Sequence, residues 1–345
     1  MVVSRRVTLD EVAARAGVSR SAASRVINNA PHVSKAKRDA VERAIAALGY
    51  VPDATARELA RRHGGVSSGT DLGPVVLAVS AEDPQVFADP FVAEVVVGIA
   101  SALEETDLEL VLRTATSVAG QERLRKLLRN GKSAGVMLMS MHGDDPLAQL
   151  AEEADVPVVF GGRPVTFEPR YYVDADNRGG ARLAVEHLVA VGRTRIATIT
   201  GRMDEAAGTA RYKGFQETLA VSGLDARRVA HADFSEDGGR KAMAELLSAH
   251  PDLDAVFVAS DQMAIGALRA LAEAGRSVPE DVAVVGFNDI ATARHTSPPL
   301  TTVSQPIQAL GREMARMVRA LLEGKDPSPL ILPTRLVVRD STGAR

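Results

Sequence analysis

Cysteine and tryptophan are absent from the 345-residue chain, and aromatic residues make up only 3% of it. The lack of cysteine excludes disulfides, thiolate metal sites and cysteine nucleophiles, and the scarcity of aromatics requires cores of aliphatic side chains. No segment approaches the ~20 consecutive apolar residues of a membrane-spanning helix. No apolar run follows Arg5 and Arg6, so a signal peptide is not indicated. These absences predict a cytoplasmic protein with no membrane association.

The charged residues are unevenly divided along the chain. Residues 1–62 contain 12 Lys and Arg against 6 Asp and Glu, whereas the remainder contains 29 against 38. Apolar residues make up 46% and charged residues 25%, the balance of a soluble globular protein, and the length exceeds one ordinary domain. A basic head on an acidic body is typical of a polyanion-binding module joined to a regulatory domain, because Lys and Arg supply most phosphate contacts.

A capping box begins the first predicted helix. Thr8 and Glu11 have the spacing in which the threonine hydroxyl accepts from the backbone N–H of Glu11 and the glutamate reaches back. Leu9, Val12 and residues one turn further on share one apolar face. Gly17 then permits the left-handed conformation that ends a helix and turns the chain.

Two further short helices follow in the head. Ser19 is placed to cap one over residues 20–27, and Ser34 to cap a third with its own apolar stripe. The first two helices, joined by a four-residue turn, form a helix-turn-helix whose second helix suits the major groove. The exposed residues of this second helix carry the donors and acceptors that read base edges or hold phosphates. They are Arg20, Ser21, Ser24, Arg25 and Asn28.

Residues 53–62 read as a helix that is too short to be stable alone. Asp53 can cap it, but about ten residues form a marginal helix in isolation. The segment is therefore expected to fold only when something holds it. Residues 63–73 are rich in Gly and Ser, as in a flexible linker.

The rest of the chain alternates apolar runs with amphipathic stretches. Strands are predicted at 75–79, 108–112, 135–139, 156–160, 196–200, 255–259 and 282–286. Helices are predicted at 92–104, 122–128, 147–153, 179–191, 211–221 and 262–274. This alternation predicts two α/β lobes with parallel sheets, and a ligand cleft at the carboxyl ends of the strands.

A polar ring-shaped ligand in this cleft would need planar polar groups to hydrogen-bond it and an aromatic face for its ring. Candidates for the polar groups are Arg211, Asn288 and Asp261. Candidates for the aromatic face are Phe91, Phe160 and Phe234, of which Phe91 and Phe160 are equally well explained as core residues.

Enzyme motifs fail on spacing. Gly131-Lys132-Ser133 lacks the preceding glycine of a phosphate-binding loop, no Gly-x-Ser-x-Gly occurs, and the seven His residues show no metal-ligand spacing. His187 stands alone on an apolar helix face, where packing is the expected role. Neither a cofactor nor a metal is predicted, and the chain is not expected to be an enzyme.

The head resembles the LacI/GalR (lactose-repressor) family of bacterial transcription regulators. The matching motifs are Val7-Thr8-Leu9-Asp10-Glu11-Val12-Ala13, Ala16-Gly17-Val18-Ser19, Ser24-Arg25-Val26-Ile27-Asn28 and Leu48-Gly49-Tyr50-Val51-Pro52. Further landmarks run through the body, among them Gly162-Arg163-Pro164, Ala210-Arg211-Tyr212 and Val285-Gly286-Phe287-Asn288. The resemblance covers nearly the whole chain.

For the head, the resemblance implies DNA contacts and a hinge helix. The hinge helix would pair with its dimer mate and wedge Leu59 into the minor groove, with Ala56 permitting close approach. His32 would approach a phosphate, and Lys37 would contribute a contact common to all sequences. The complete implied DNA-binding set is Thr8, Leu9, Ser19, Arg20, Ser21, Ser24, Arg25, Asn28, His32, Ser34, Lys37, Tyr50, Ala56 and Leu59.

For the body, the resemblance implies a fold like a type I periplasmic sugar-binding protein, with the chain crossing between lobes near residues 162, 290 and 323. Arg211 and Asn288 would take the two principal effector positions, Phe234 a stacking position, and Arg163 a further one. The purine-binding branch carries Arg and Thr shortly before the first of these, where this chain has Glu205 and Ala207. A sugar-like effector is therefore favoured over a purine.

Together these features predict an all-α helix-turn-helix head joined by a hinge to an α/β body of two parallel-sheet lobes. The expected domains are 1–52 for DNA binding, 53–62 for the hinge helix, 63–73 for the linker and 74–345 for effector binding and dimerisation. Because one head makes few base contacts, a homodimer on a pseudo-palindromic operator is expected, released by a small sugar-like effector. A corepressor-dependent regulator and a sugar-binding protein without regulatory role stay open as alternatives.

Overall fold

The computed structural model describes residues 8–19, 23, 26–27, 35–48, 73–79, 89–114, 117–129, 133–139, 142–143, 145 and 154–343. The chain divides into two compact units, Met1–Asp71 and Leu72–Arg345. The boundary lies within the segment predicted as a linker.

In the first unit, the described helices are α1 (Leu9–Ala16) and α2 (Lys35–Leu48). The Thr8 hydroxyl accepts from the Glu11 N–H at 3.3 Å, and the Glu11 carboxylate accepts from the Thr8 N–H at 2.8 Å. Gly17 has φ of 65° and ends α1. The predicted capping box and the glycine stop are both confirmed.

A small aliphatic core holds this unit together. Of the second predicted helix, the structure describes residue 23 and residues 26–27, all helical. The buried core residues are Val12, Ala13, Ala23, Val26, Val41 and Ala44. Their packing joins α1 and α2, which are marginal as isolated helices, to Ala23 and Val26 between them in the chain.

The second unit contains two sheets in its described residues. The strands are β1 (Val75–Val79), β2 (Leu110–Thr114), β3 (Gly135–Met139), β4 (Val158–Gly161), β5 (Tyr172–Ala175), β6 (Ile196–Thr200), β7 (Val229–His231), β8 (Ala255–Val258), β9 (Ala283–Asn288), β10 (Thr301–Ser304), β11 (Leu330–Leu332) and β12 (Arg335–Val337). The first lobe has the order β11-β5-β4-β3-β1-β2 and the second β12-β10-β9-β8-β6-β7. All neighbours are parallel except β10 and β12.

Helices cover both faces of each sheet. They are α3 (Pro90–Leu103), α4 (Val118–Arg129), α5 (Asn177–Ala190), α6 (Ala206–Val221), α7 (Glu236–Ala249), α8 (Asp261–Glu273) and α9 (Ile307–Leu322), with 3-10 turns at Ala291–His295 and Asp340–Thr342. In the first lobe, α3 and α9 cover one face and α4 the other, whereas α7 with α8 and α5 with α6 cover the faces of the second. Burial on both faces explains why β1 and β3 read as continuous apolar runs.

The chain crosses between the lobes at positions that differ from the predicted ones. It crosses between β5 and α5, between β10 and α9, and between β11 and β12. The positions near 162, 290 and 323 are therefore wrong. Each lies before a short strand, β5, β10 or β11, that was not predicted, because strands of three or four residues give little periodic signal.

Several element boundaries also differ. Predicted strand 108–112 lies two residues later, and helix 92–104 begins earlier because the Asp89 side chain caps it and Pro90 occupies its first turn. Helix α7 was not predicted because its Gly238-Gly239 reads as a break. A Cβ at Gly239 would lie 2.2 Å from the carbonyl oxygen of Met263, so glycine there permits α7 to pack closely on α8. The predicted helix 147–153 lies outside the described residues.

Candidate functional site

Strained backbone marks the carboxyl ends of the second lobe's strands. Phe234, after β7, has φ of 70°, and Asn288 and Asp289, at the end of β9, have φ of 116° and 59°. Non-glycine residues rarely adopt such angles, and those that do cluster at functional sites. The parallel strands bring these ends to one edge of the sheet, where the ligand cleft was predicted.

Arg211 on α6 is 5% exposed, and its hydrogen-bond acceptors and the rings beside it are uncharged, while carboxylates act on it only from a greater distance. Its Nε donates to Asn177 Oδ1 at 2.9 Å and its Nη1 to the Ala259 carbonyl at 2.5 Å. The guanidinium carbon lies 3.8 Å from the centre of the Phe287 ring. Burial lowers the pKa of Arg211 to about 10, so it stays protonated at neutral pH. Among the described residues Nη2 has no hydrogen-bond partner, which leaves a charged donor for a ligand.

Phe234 packs against the backbone of Gly201. A Cβ at Gly201 would lie 2.0 Å from Phe234 Cζ, so only glycine fits beneath the ring. The ring is half-buried, and the guanidinium carbon of Arg211 lies 6.0 Å from its centre. The predicted stacking residue and the predicted arginine therefore lie side by side.

The turn after β9 is held from two sides. Asn288 Oδ1 accepts from Gln305 Nε2 at 2.7 Å. The carboxylate of Asp289 accepts from Arg339 Nη2 at 2.5 Å, and the same guanidinium donates through Nη1 to the Leu300 carbonyl at 2.7 Å. Gln305 and Arg339 were not predicted as site residues, because they lie far along the chain from Asn288 and Asp289, which they bond.

Asp261 does not reach the cleft, which corrects the prediction that it binds effector hydroxyls. It is 0% exposed, and its carboxylate accepts from Thr302 Oγ1 at 2.5 Å and from the Ile290 N–H at 2.9 Å. Burial raises its pKa to about 7. Its position at the start of α8 makes it a support for the strand ends.

Of the first-lobe aromatics, Phe160 is a core residue and its predicted effector role is wrong. It is 4% exposed, packs with Leu124 and Leu128, and meets Phe167 edge-on with ring centres 5.8 Å apart. Adjacent residues of a strand face opposite sides of a sheet, and Phe160 faces α4. Phe91 lies in the first turn of α3, is half-buried, and packs partly on the other core face of that lobe.

Arg163 belongs to a polar network at the first crossover. Its Nε donates to Asp174 Oδ2 at 3.0 Å, and its guanidinium carbon lies 5.6 Å from the centre of the Tyr172 ring. Asp174 Oδ1 in turn accepts from Asn177 Nδ2 at 3.1 Å. Neither Asp174 nor Asn177 was predicted as a site residue. Asp174 lies inside β5, whose four residues give no periodic signal, so no local pattern in the sequence singled the pair out.

The two lobes also meet at a second place. The Gly143 N–H of the first lobe donates to the Asp204 carbonyl of the second at 2.8 Å. Next to Asp204, burial raises the pKa of Glu205 to about 7, and burial also raises the pKa of Asp89 in the first lobe. Asp89 is exposed and Glu205 is partly buried, and the two carboxylates come close enough across the lobes to interact electrostatically; neither was predicted as a site residue.

In the head, four of the predicted DNA-contact residues are described. Thr8 caps α1 and Leu9 is its first residue, while Ser19 and Lys37 are exposed. The other predicted contacts lie outside the described residues. They are Arg20, Ser21, Ser24, Arg25, Asn28, His32, Ser34, Tyr50, Ala56 and Leu59.

Neither a membrane span nor a metal site is found where the structure describes the chain. Its described helices are all too short or too polar to cross a bilayer. Across the same residues, no three His, Asp or Glu side chains come together as metal ligands would.

Two family descriptions match the chain. Residues 8–53 match the bacterial regulatory proteins of the lacI family, and residues 185–342 match a periplasmic binding protein-like domain. Among curated relatives, the HTH-type transcriptional regulator CelR of Thermobifida fusca is 48% identical over 98% of each chain. The HTH-type transcriptional regulator GalR of Escherichia coli is 34% identical over 94% of this chain and 91% of its own.

Solved structures agree with the fold. A transcriptional regulator CelR–cellobiose complex is 45% identical, with a TM-score of 0.74 over 97% of this chain and all of its own (100%). A lac repressor dimer bound to operator and an anti-inducer is 29% identical, with a TM-score of 0.78 over 98% and 99% of the two chains. The predicted architecture, a helix-turn-helix head with a two-lobed α/β body, is confirmed.

Proposed function

Since the chain belongs to the lacI family and is a DNA-binding transcription regulator, we propose that its cleft binds cellobiose and that this binding releases it from operator DNA. The observation that carries the effector proposal is the buried, protonated Arg211 beside Phe234. A guanidinium that bonds hydroxyl oxygens next to an aromatic face is the chemistry that a sugar requires. The CelR relative, whose structure contains cellobiose, supports the choice of this disaccharide.

We propose that Arg211 and Asn288 bond sugar hydroxyls and that Phe234 stacks on a ring. Phe91 and Arg163 would contact the sugar from the first lobe. Asn288 both donates and accepts, so it suits a neutral ligand.

On DNA, the protein is proposed to act as a homodimer on a pseudo-palindromic site. Residues 20–28 would read the major groove, and Leu59 of the hinge segment would open a minor-groove step. Sugar binding would change the angle between the lobes and withdraw support from the hinge segment. The relatives are transcription regulators, and we propose that this chain likewise acts in the cytoplasm and leaves its sugar unchanged.

The test is a pair of titrations on the full-length protein. Fluorescence anisotropy measures its affinity for a labelled palindromic duplex with cellobiose, glucose, galactose, ribose or no sugar. Calorimetry measures cellobiose affinity with and without that duplex. Linkage requires the same factor in both experiments. Equal affinity with and without the duplex would exclude release, and stronger DNA binding with cellobiose would identify a corepressor instead.

A further inference from the structure

Arg211 is connected to the crossover between the lobes by one side chain, Asn177. Asn177 is 5% exposed and stands at the first residue of α5, directly after the chain leaves the first lobe. Its Oδ1 accepts from Arg211 Nε at 2.9 Å. This hydrogen bond therefore joins Arg211, a proposed effector-binding residue, to the crossover between the lobes.

The partners of Asn177 fix the orientation of its amide. Nδ2 donates to Asp174 Oδ1 and to the Ala175 carbonyl, both at 3.1 Å. These two partners only accept, and Arg211 only donates, so a rotated amide would lose all three bonds. The Asn177 amide is therefore held in one orientation, with Oδ1 facing Arg211 Nε.

Asp174 anchors this amide in the first lobe. Its Oδ1 also accepts from the Ala175 N–H at 2.8 Å, and its Oδ2 holds Arg163. The neighbouring Asp176 N–H donates to the Leu332 carbonyl at 2.9 Å, so this crossover is also tied to the last one. The network runs from the first lobe through the crossover between the lobes to Arg211 in the second lobe.

We propose that Asn177 is a positioning residue that fixes the guanidinium of Arg211 for the effector, with Asp174 as its anchor in the first lobe. The claim that this positioning serves effector binding rests on the cleft being the sugar site proposed above. The charged hydrogen bond is buried, so its loss frees the guanidinium to leave the Ala259 carbonyl and the Phe287 ring.

Three variants of the full-length protein separate positioning from folding. Asn177→Ser keeps a hydroxyl that can bond Asp174 but is too short to reach Arg211. In Asn177→Asp the new carboxyl shares one proton with the adjacent Asp174 carboxylate, because two carboxyl groups this close cannot both be ionised, and it keeps an acceptor for Arg211. Arg178→Ala is the matched control, because it removes the exposed ion pair with Glu217 that joins the same two helices. Calorimetry should show cellobiose binding at least about tenfold weaker in Asn177→Ser, restored toward wild type in Asn177→Asp, and unchanged in Arg178→Ala.

A second measurement needs no effector. In protein labelled with ¹⁵N-arginine, the Nε–H resonance of Arg211, assigned by its disappearance in Arg211→Lys, should exchange slowly with solvent. Exchange should be at least about tenfold faster in Asn177→Ser and stay slow in Asn177→Asp and Arg178→Ala. If wild type does not bind cellobiose, the proposed effector is wrong, and the exchange rates alone decide the positioning role. Slow exchange in Asn177→Ser, with or without weakened sugar binding, would overturn it.

Discussion

Replacing Asp261 by asparagine should remove a pH-dependent loss of stability from the second lobe. The carboxyl is fully buried, and burial raises its pKa from 3.8 to about 7. Folding therefore favours its protonated form. The stability this contributes is fully present below the unfolded pKa and is lost as the pH rises through about 7.

The structure gives the size of the effect. With these two pKa values, linkage gives a fall of about 3 kcal/mol in the free energy of unfolding between pH 5 and pH 8. Asparagine is uncharged throughout this range. It can still accept from the Ile290 N–H and donate to Thr302 Oγ1, so the variant keeps the local bonds.

The assay is urea unfolding of wild type and Asp261→Asn at pH 5 and pH 8, followed by far-UV circular dichroism. The unfolding free energy of Asp261→Asn minus that of wild type should be about 3 kcal/mol larger at pH 8 than at pH 5. Glu205 titrates in the same range but is present in both proteins, so it cancels. Glu245→Gln, which removes an exposed carboxylate from the same lobe, is the control. Parallel behaviour of wild type and Asp261→Asn would refute the reasoning.

Three other substitutions test the cleft and the head. Gly201→Ala should displace the Phe234 ring and weaken cellobiose binding by about tenfold to a hundredfold, because overpacking costs about 1–3 kcal/mol. Operator affinity without sugar, measured by anisotropy, should stay unchanged. Loss of both affinities would contradict a local effect. In the head, Arg20→Ala should change which bases are preferred in a panel of operator variants. Lys37→Ala should instead lower the affinity for all sequences alike and reduce the slope of log affinity against log salt concentration by about one. An unchanged preference in Arg20→Ala would remove that residue from base reading.

The sequence predicted the elements whose signal is local or strongly periodic. The Thr8 capping box needs only residues three apart, and β1, β3 and β6 are apolar runs whose bounds matched. Strand β5 carries Asp174 in a run of four residues, so it gave no such signal and the crossovers were misplaced.

The site was harder to predict because its contacts join distant parts of the chain. Arg211 and Phe234 were predicted as site residues, and they lie together. Phe160 and Asp261 have suitable chemistry but face the wrong way, and the facing of a side chain depends on the register of its strand or helix within the lobe. The backbone strain at Asn288 has no trace in the sequence.

The short strands β11 and β12 follow each other within eight residues, yet one completes the first sheet and the other the second. Neither lobe corresponds to a continuous stretch of polypeptide, so neither can be excised as a fragment by cutting the gene once. During synthesis, both sheets wait for the same late segment to leave the ribosome. A stop codon before residue 330 would strip an edge from both halves at once.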